Sequence, residues 1–245
     1  MRKDHFDNVA DIGGQTTKKD HFNNVADIYS RARPGYPREI YHHINRYKSF
    51  NSSSLLLEIG AGHGIATEEV NSYWHPQIIA LEPGKALCEF AQQRFINAEN
   101  IQLVNQPFEN YQTIAKFDGI YSATAFHWIT AANRYEKLFH LLKNDGLLFL
   151  YWNNFSFLDE NVFNDIQKIY QNYHPTQLAK TNLKKQQKEK ILSRKREIEQ
   201  SRFFRLVGHI ELNHIIHYST EQYIKLLRSF STNALSESEM APFYQ

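Results

Sequence analysis

The sequence predicts an α/β protein: a doubly wound, mostly parallel β-sheet with helices on both faces. Three observations carry this prediction. Short apolar runs alternate with amphipathic stretches between residues 55 and 152. The first of these runs is nearly continuous, as in a strand that is buried on both faces. A glycine-rich turn follows it directly, and strands that alternate with helices at this spacing pair in parallel through right-handed crossovers.

The elements of this fold can be placed in order along the chain. Apolar residues at helical spacing predict one helix before Pro34 and a second after Pro37, because the residue before a proline disfavours the helical conformation. The predicted strands are Leu55–Ile59, Gln77–Leu81, Ile101–Val104, Phe117–Ser122 and Leu147–Trp152, the last opened by a turn at residues 144–146. The predicted helices between them are Ile65–Val70, Lys85–Phe95 and Ala132–Leu142.

The pattern becomes looser after Trp152. It predicts helices at Val162–Tyr173 and Lys184–Arg196, an extended strand at Arg205–His217, and a last helix at Tyr223–Phe230. Residues 219–222 read Ser-Thr-Glu-Gln, which is typical of a capping box at the start of that helix. We interpret residues 154–202 as a helical lid inserted over the substrate.

The N-terminus carries a short duplication. Residues 3–12 (KDHFDNVADI) and 19–28 (KDHFNNVADI) are identical at nine of ten positions. Two short copies do not make a repeat architecture, which needs several stacked units. We therefore expect residues 1–18 to be a mobile extension and residues 19–245 to form a single domain.

Composition narrows the kinds of site that the chain can build. Cys88 is the only cysteine, which excludes an intrachain disulfide and a cysteine-rich zinc or iron–sulfur site. We see neither the apolar core of a signal peptide nor a run of about 18 apolar residues. We expect a cytoplasmic protein with no metal site and no membrane partner, either a monomer or a weak dimer.

The charge is balanced overall but uneven along the chain. The net charge is +2, whereas residues 180–205 hold ten basic and three acidic residues, a local net charge of +7. A nucleic acid could bind this segment, although Gln, Glu and Ile at helical intervals are more typical of a solvated helix face. Nucleic acid is thus the less favoured partner.

The glycine-rich turn and a later carboxylate form a pair. Residues 58–64 read Glu-Ile-Gly-Ala-Gly-His-Gly and lie between a predicted strand and a predicted helix, where backbone N–H groups can meet a cofactor. Ile65 stands where the dinucleotide fingerprint needs its third glycine, which argues against NAD or FAD. Glu82 ends the second strand, in the position from which an acid can accept hydrogen bonds from ribose hydroxyls.

The chain resembles the class I S-adenosylmethionine-dependent methyltransferases, in particular the small-molecule enzymes related to trans-aconitate methyltransferase. Four segments carry the resemblance: residues 29–37 (YSRARPGYP), the turn at residues 58–64, Glu82, and residues 122–128 (SATAFHW). It implies a Rossmann-like sheet with an N-terminal helical segment, and S-adenosylmethionine as cofactor. The resembling enzymes continue through another helix into a last antiparallel strand, so we expect one strand position of the sheet to be vacant.

The resemblance also implies roles for individual residues. Gly60, Ala61 and Gly62 would line the methionine part of the cofactor, and Glu82 would hold the ribose. Tyr29 and Arg33 would close over the cofactor, Arg33 as a partner for its carboxylate. Gln106 stands where a polar residue meets the adenine, while its neighbours Pro107 and Phe108 depart from the usual Asp-Ala. The further expected cofactor contacts are Glu58, Pro83, Phe108, Ser122, Ala123 and Trp128.

Methyl transfer from a sulfonium is an in-line displacement, in which the protein aligns the acceptor and excludes water. Residues 126–128 follow the fourth strand, and we expect Trp128 or Phe126 to wall the sulfonium end and His127 to face the acceptor as a proton acceptor. The sequence lacks the Pro-Cys pair of methyltransferases that act on cytosine C5. It also lacks the Asn/Asp-Pro-Pro-aromatic signature of methyltransferases that act on the amino groups of adenine or glutamine. A small organic acceptor is therefore expected. The alternatives are an RNA methyltransferase that uses residues 180–205, and a cofactor-binding protein without catalysis.

Overall fold

The computed structural model describes residues 33–154, 160–173 and 183–228. Tyr29 and the duplicated extension at residues 1–18 lie outside these ranges, so the expectations placed on them remain predictions. No helix within the described ranges is both long and apolar enough to cross a membrane.

Five parallel strands form one sheet in the order β3-β2-β1-β4-β5. The strands are β1 (Leu55–Ile59), β2 (Gln77–Leu81), β3 (Ile101–Val104), β4 (Phe117–Ala123) and β5 (Leu142–Tyr151). The ends of β1 and β2 are in register, with Ile59 opposite Leu81, and β4 and β5 end with Ala123 opposite Tyr151. The order reverses between β1 and β4, which is the position where open α/β sheets bind ligands. The predicted doubly wound parallel fold is confirmed.

Helices connect and flank the strands. They are α1 (Glu39–Ile44), α2 (Ile65–Trp74), α3 (Lys85–Arg94), α4 (Arg134–Leu141), α5 (Glu160–Tyr173), α6 (Leu183–Gln200) and α7 (Thr220–Arg228). The predicted capping box of α7 is confirmed: the Ser219 amide donates to Gln222 Oε1 at 2.8 Å, and the Gln222 amide donates to Ser219 Oγ at 3.2 Å. Single 3₁₀ turns at Phe108–Asn110 and Phe126–Trp128 follow β3 and β4.

Two apolar clusters sandwich the sheet because successive side chains of a strand point to opposite faces. Leu56 of β1 belongs to the cluster that also contains Tyr41 and Trp74. Its neighbour Leu57 belongs to the other cluster, together with Leu138 of α4. This double coverage explains why β1 is nearly continuous in apolar residues.

Two strand predictions need correction. β5 begins at Leu142, before the predicted turn, and its pairing with β4 is irregular between Phe117 and Gly119. The strand predicted at Arg205–His217 is wrong, because residues 204–219 contain neither helix nor strand. Apolar side chains of this segment, from Leu206 to Ile216, are between 36% and 58% exposed. Its alternating pattern therefore buries no face, and a strand without a paired neighbour is not stable.

Candidate active site

The turn between β1 and α2 brings its backbone to the carboxyl edge of the sheet. Gly60 and Gly62 have φ angles of 75° and 59°, a region that side chains rarely adopt. A Cβ at Gly60 would lie 2.4 Å from the Cβ of Ala125, so this glycine lets the segment after β4 approach the turn. A Cβ at Gly62 would meet nothing within 4 Å. Gly62 therefore faces open space, which is the shape needed to admit a ligand against the backbone.

Glu82 fixes this turn from the end of β2. Its Oε2 accepts a hydrogen bond of 2.7 Å from the Gly62 amide, and its Oε1 accepts one of 2.7 Å from the Gly84 amide. The residue is 6% exposed, and the Asn105 side chain donates to its backbone carbonyl at 2.8 Å. Each oxygen of a carboxylate can accept more than one hydrogen bond.

Glu58 lies directly behind the turn and is fully buried. Its Oε2 accepts hydrogen bonds from Thr67 Oγ1 at 2.5 Å and from the Tyr121 hydroxyl at 3.0 Å. Its Oε1 is buried without a hydrogen-bond partner in the described part of the chain. Burial raises the pKa of this carboxyl to about 7, although the bonds from Thr67 and Tyr121 oppose the shift. Because the side chain reaches no surface, its influence on a ligand would pass through the shape of the turn.

The segment that leaves β4 is strained and held from two sides. Thr124 has a φ of 57°, which is rare for a β-branched residue and has to be maintained by its surroundings. Its Oγ1 lies 2.8 Å from the Tyr36 hydroxyl and accepts a hydrogen bond of 3.2 Å from the Asn153 amide. Ser122 is fully buried and donates to the Ile59 carbonyl at 2.7 Å, while Ala123 is half-buried. The strand ends of β1, β4 and β5 are thereby tied together.

The N-terminal motif is anchored at the same edge. The Asn153 side chain donates to the Gly35 carbonyl at 3.1 Å, and the Tyr36 amide donates to Glu69 Oε1 at 2.9 Å. Arg33 lies close enough to Tyr218 for its charge to oppose the rise that burial causes in the pKa of that hydroxyl. The described part of the motif is thus held beside the ends of β4 and β5, through Tyr36 and Gly35.

The residues after β3 lie beside the end of β2, because Val104 pairs with Leu81. Gln106 is half-buried, and its Nε2 donates to the Asn110 carbonyl at 2.9 Å. Phe108 is 3% exposed, and Lys137 Nζ lies 4.9 Å from the centre of its ring. Pro83, directly after Glu82, is half-buried. One amide donor of Gln106 is thus used within the protein.

The three bulky residues after β4 diverge. Phe126 is 3% exposed and packs on Tyr135 with ring centres 5.5 Å apart, so it is a core residue. Trp128 is 43% exposed, and His127 is also exposed. The Trp152 indole donates to His127 Nδ1 at 3.3 Å. Neutral His127 therefore carries its proton on Nε2, which can donate a hydrogen bond, and it can accept a proton only by giving up the bond to Trp152.

Sequence reasoning missed three contributors: Thr124, Asn153 and Arg194. The Arg194 guanidinium lies 3.8 Å above the ring of Trp152. Asn153 lies two residues after the end of β5, and this place near a strand end is the one signal in the sequence that could identify it. Within the described ranges, no three His, Cys, Asp or Glu side chains are grouped so that they could hold a metal ion.

Comparison with known proteins agrees with this geometry. Residues 56–146 match a family described as a methyltransferase domain. An uncharacterized methyltransferase of Schizosaccharomyces pombe is 28% identical over 127 residues, which are 51% of this chain and 49% of the relative. Malonyl-[acyl-carrier protein] O-methyltransferase of Bacillus anthracis is 28% identical over 130 residues, 52% of this chain and 46% of that protein. The chain thus spans about half the length of the curated relatives it matches.

A solved structure gives a weaker likeness. Haemonchus contortus phosphoethanolamine N-methyltransferase 2 is 14% identical, with a TM-score of 0.48 over 63% of this chain and 40% of the other. The matched family, by contrast, covers β1 to the first part of β5, including both the glycine turn and Glu82. These sequence matches therefore identify a methyltransferase domain at residues 56–146, the part of the chain that contains the glycine turn and Glu82.

Proposed function

We propose that the protein transfers the methyl group of S-adenosylmethionine to a small organic acceptor by in-line displacement. One observation carries the proposal most: Gly62 presents its backbone to open space while Glu82 holds its amide at 2.7 Å. A side chain at residue 62 would extend into this space. This arrangement suits a ligand that carries vicinal hydroxyls and approaches the backbone closely.

The proposed cofactor site follows the strand ends. Glu82 accepts hydrogen bonds from the ribose hydroxyls, and the turn at Gly60, Ala61 and Gly62 meets the methionine part. Tyr29 and Arg33 close over the methionine carboxylate. Pro83, Gln106 and Phe108 lie on the adenosine side. Ala123 forms the floor of the crevice, with the fully buried Ser122 beneath it and Glu58 behind the turn.

The cofactor supplies an electrophilic methyl group when bound, so the chain has to orient the acceptor and exclude water. His127 and Trp128 follow β4 and are exposed at the edge where β4 and β5 end. We place the acceptor at this end of the crevice. With Nδ1 bonded to Trp152, His127 first acts as a hydrogen-bond donor through Nε2. A proton-accepting role needs the Trp152 bond to break when the acceptor binds.

Calorimetry with S-adenosylhomocysteine tests the proposal. Replacing Glu82 by alanine removes charge-assisted bonds worth about 1.5–3 kcal/mol each, so affinity should fall at least about tenfold. The matched control is Glu89→Ala, a carboxyl on α3 that is 61% exposed and should leave affinity unchanged. Melting temperatures of both variants show whether the freed Gly62 and Gly84 amides loosen the fold. Equal affinities of wild type and Glu82→Ala would refute the proposed site.

The two alternatives give different results in the same preparation. An RNA methyltransferase would use the exposed Lys185, Lys188 and Lys190 of α6, and its binding to polyuridylate would fall steeply with salt. A cofactor-binding protein without catalysis would bind S-adenosylhomocysteine. It would form no S-adenosylhomocysteine from S-adenosylmethionine with any acceptor. We favour the small acceptor, because Arg194 of α6 lies over the Trp152 ring and is not one of a row of exposed cations.

A further inference from the structure

Arg194 of α6 brings a positive charge to the acceptor end of the crevice. Its guanidinium lies 3.8 Å from the centre of the Trp152 ring, and Trp152 directly follows β5. Trp152 also contacts His127, which follows β4, because the indole N–H donates a hydrogen bond to His127 Nδ1. The cation, the indole and the imidazole therefore form one continuous row, which we name the Arg194 row (Arg194, Trp152, His127).

The Arg194 guanidinium is held over the Trp152 ring. It is half-buried, and burial lowers its pKa, while the nearby charge of Glu197 opposes this shift. An arginine nonetheless remains charged in proteins. The guanidinium makes neither a hydrogen bond nor an ion pair within 4 Å with the residues that the structure describes. Stacking on an indole fixes the plane of a guanidinium, and the N–H groups then point outward from the edges of that plane.

Arg134 shows what a structural arginine looks like in the same region. It also lies over aromatic rings, those of Phe126 and Tyr135, at 5.4 Å and 5.6 Å. Its N–H groups, however, donate to the Ile129 carbonyl and to the Glu197 carboxylate. Arg134 is therefore satisfied within the protein, whereas the N–H groups of Arg194 have no hydrogen-bond partner among the described residues.

We propose that Arg194 binds a carboxylate group of the methyl acceptor, and this inference rests on the proposed methyltransferase function. A planar guanidinium matches a carboxylate in a bidentate arrangement, and desolvation by the indole strengthens the pair. Trp152 holds the fork on the side of the crevice where β4 and β5 end. The acceptor is then a small organic acid whose reacting atom lies toward His127 and whose carboxylate lies against Arg194.

A nucleic-acid backbone fits this position less well than an organic acid. Phosphate contacts along a backbone need several exposed cations that follow one another, as Lys185, Lys188 and Lys190 do on α6. Arg194 is instead half-buried on an indole, where a single negative charge balances it. The two kinds of partner therefore depend on different residues of the same helix.

The test measures the binding of small acids to the full chain saturated with S-adenosylhomocysteine. Succinate, glutarate and benzoate are titrated alongside succinamide, glutaramide and benzamide, and tryptophan fluorescence reports binding at Trp152. A Trp152→Phe variant identifies this signal among the three tryptophans of the chain. The variants are Arg194→Gln, which removes the charge, Arg194→Lys, which keeps the charge without the planar fork, and Lys190→Gln as the matched control on α6.

At least one acid should bind wild type, with its amide at least about tenfold weaker, which corresponds to loss of one charge-assisted bond. Arg194→Gln should weaken that acid by at least about tenfold, Arg194→Lys should be intermediate, and Lys190→Gln should lie within about twofold of wild type. Acids that bind Arg194→Gln as well as wild type, acids and amides that bind alike, or no binding of any acid would overturn the proposal.

Two further measurements separate the possible failures. Calorimetry with S-adenosylhomocysteine alone is run on every variant: wild type that binds no S-adenosylhomocysteine refutes the proposed function itself. Binding of S-adenosylhomocysteine without any effect of Arg194→Gln on the acids refutes only the role of Arg194. The role of Arg194 in binding an acid would also be overturned if polyuridylate binds with a steep salt dependence and both Arg194→Gln and Lys190→Gln weaken that binding equally. This result would favour a nucleic-acid partner.

Discussion

Replacing Glu58 by glutamine should remove a pH dependence from the stability of the fold. The Glu58 carboxyl is fully buried, and one of its oxygens has no partner in the described part of the chain. Burial is the main reason that its pKa is about 7 in the folded protein, compared with the usual 4.5. In the unfolded chain the carboxyl is hydrated and its pKa returns to the usual value.

The sign follows from the protons bound in each state. Between about pH 4.5 and pH 7 the folded protein keeps a proton on Glu58 that the unfolded chain releases. Stability therefore falls as pH rises through this window and is constant, with respect to this group, above it. A difference of about 2.5 in pKa corresponds to about 3 kcal/mol at 1.36 kcal/mol for each pH unit. Glutamine does not titrate and can still accept the hydrogen bonds from Thr67 and Tyr121.

Urea unfolding followed by circular dichroism at pH 5, 6, 7 and 8 measures this effect. The free energy of unfolding of Glu58→Gln, relative to wild type, should rise by about 2–3 kcal/mol from pH 5 to pH 8. Groups common to both proteins cancel in the difference. Thr67→Val removes a bond that lowers the pKa of Glu58, so it should extend the fall in stability to higher pH. A difference between Glu58→Gln and wild type that does not change with pH would refute the reasoning.

Two other predictions concern the crevice. Gly62→Leu should abolish S-adenosylhomocysteine binding by filling the open space. Gly62→Ala carries a similar backbone cost of about 1–2 kcal/mol but a much smaller side chain, so it should retain binding. Equal affinities of the two variants in calorimetry would contradict the proposed contact. His127→Ala should reduce turnover with cofactor affinity unchanged, whereas Trp128→Ala should reduce both, as measured by S-adenosylhomocysteine release and by calorimetry. A loss of cofactor affinity in His127→Ala would move this residue from the acceptor to the cofactor.

The parts of the fold that depend on local pattern could be predicted from the sequence. β1 is apolar throughout because both of its faces are covered, and the glycines after it are needed where φ is positive. The same reasoning gave the five paired strands and the capping box at Ser219. It failed at Arg205–His217, since alternation of apolar residues shows what a strand could bury but not whether a neighbouring strand is present.

The contacts that build the site join distant parts of the chain and leave no such pattern. Asn153 bonds to Gly35, 118 residues away, and Tyr36 meets Thr124 across 88 residues. The left-handed backbone of Thr124 is likewise imposed by these neighbours, because a threonine in isolation disfavours it. The sequence pattern around Arg194 predicts a charge on a solvated helix face, whereas the structure places its guanidinium over the ring of Trp152.

The structure of the protein with S-adenosylhomocysteine bound tests the central claim most directly. Both ribose hydroxyls should lie within about 3.2 Å of the Glu82 carboxylate, a normal hydrogen-bond distance. The backbone of Gly62 should lie against the ligand, and the sulfur should face the Arg194 row. A ligand whose ribose lies away from Glu82, or whose sulfur points toward β3, would contradict the proposed site.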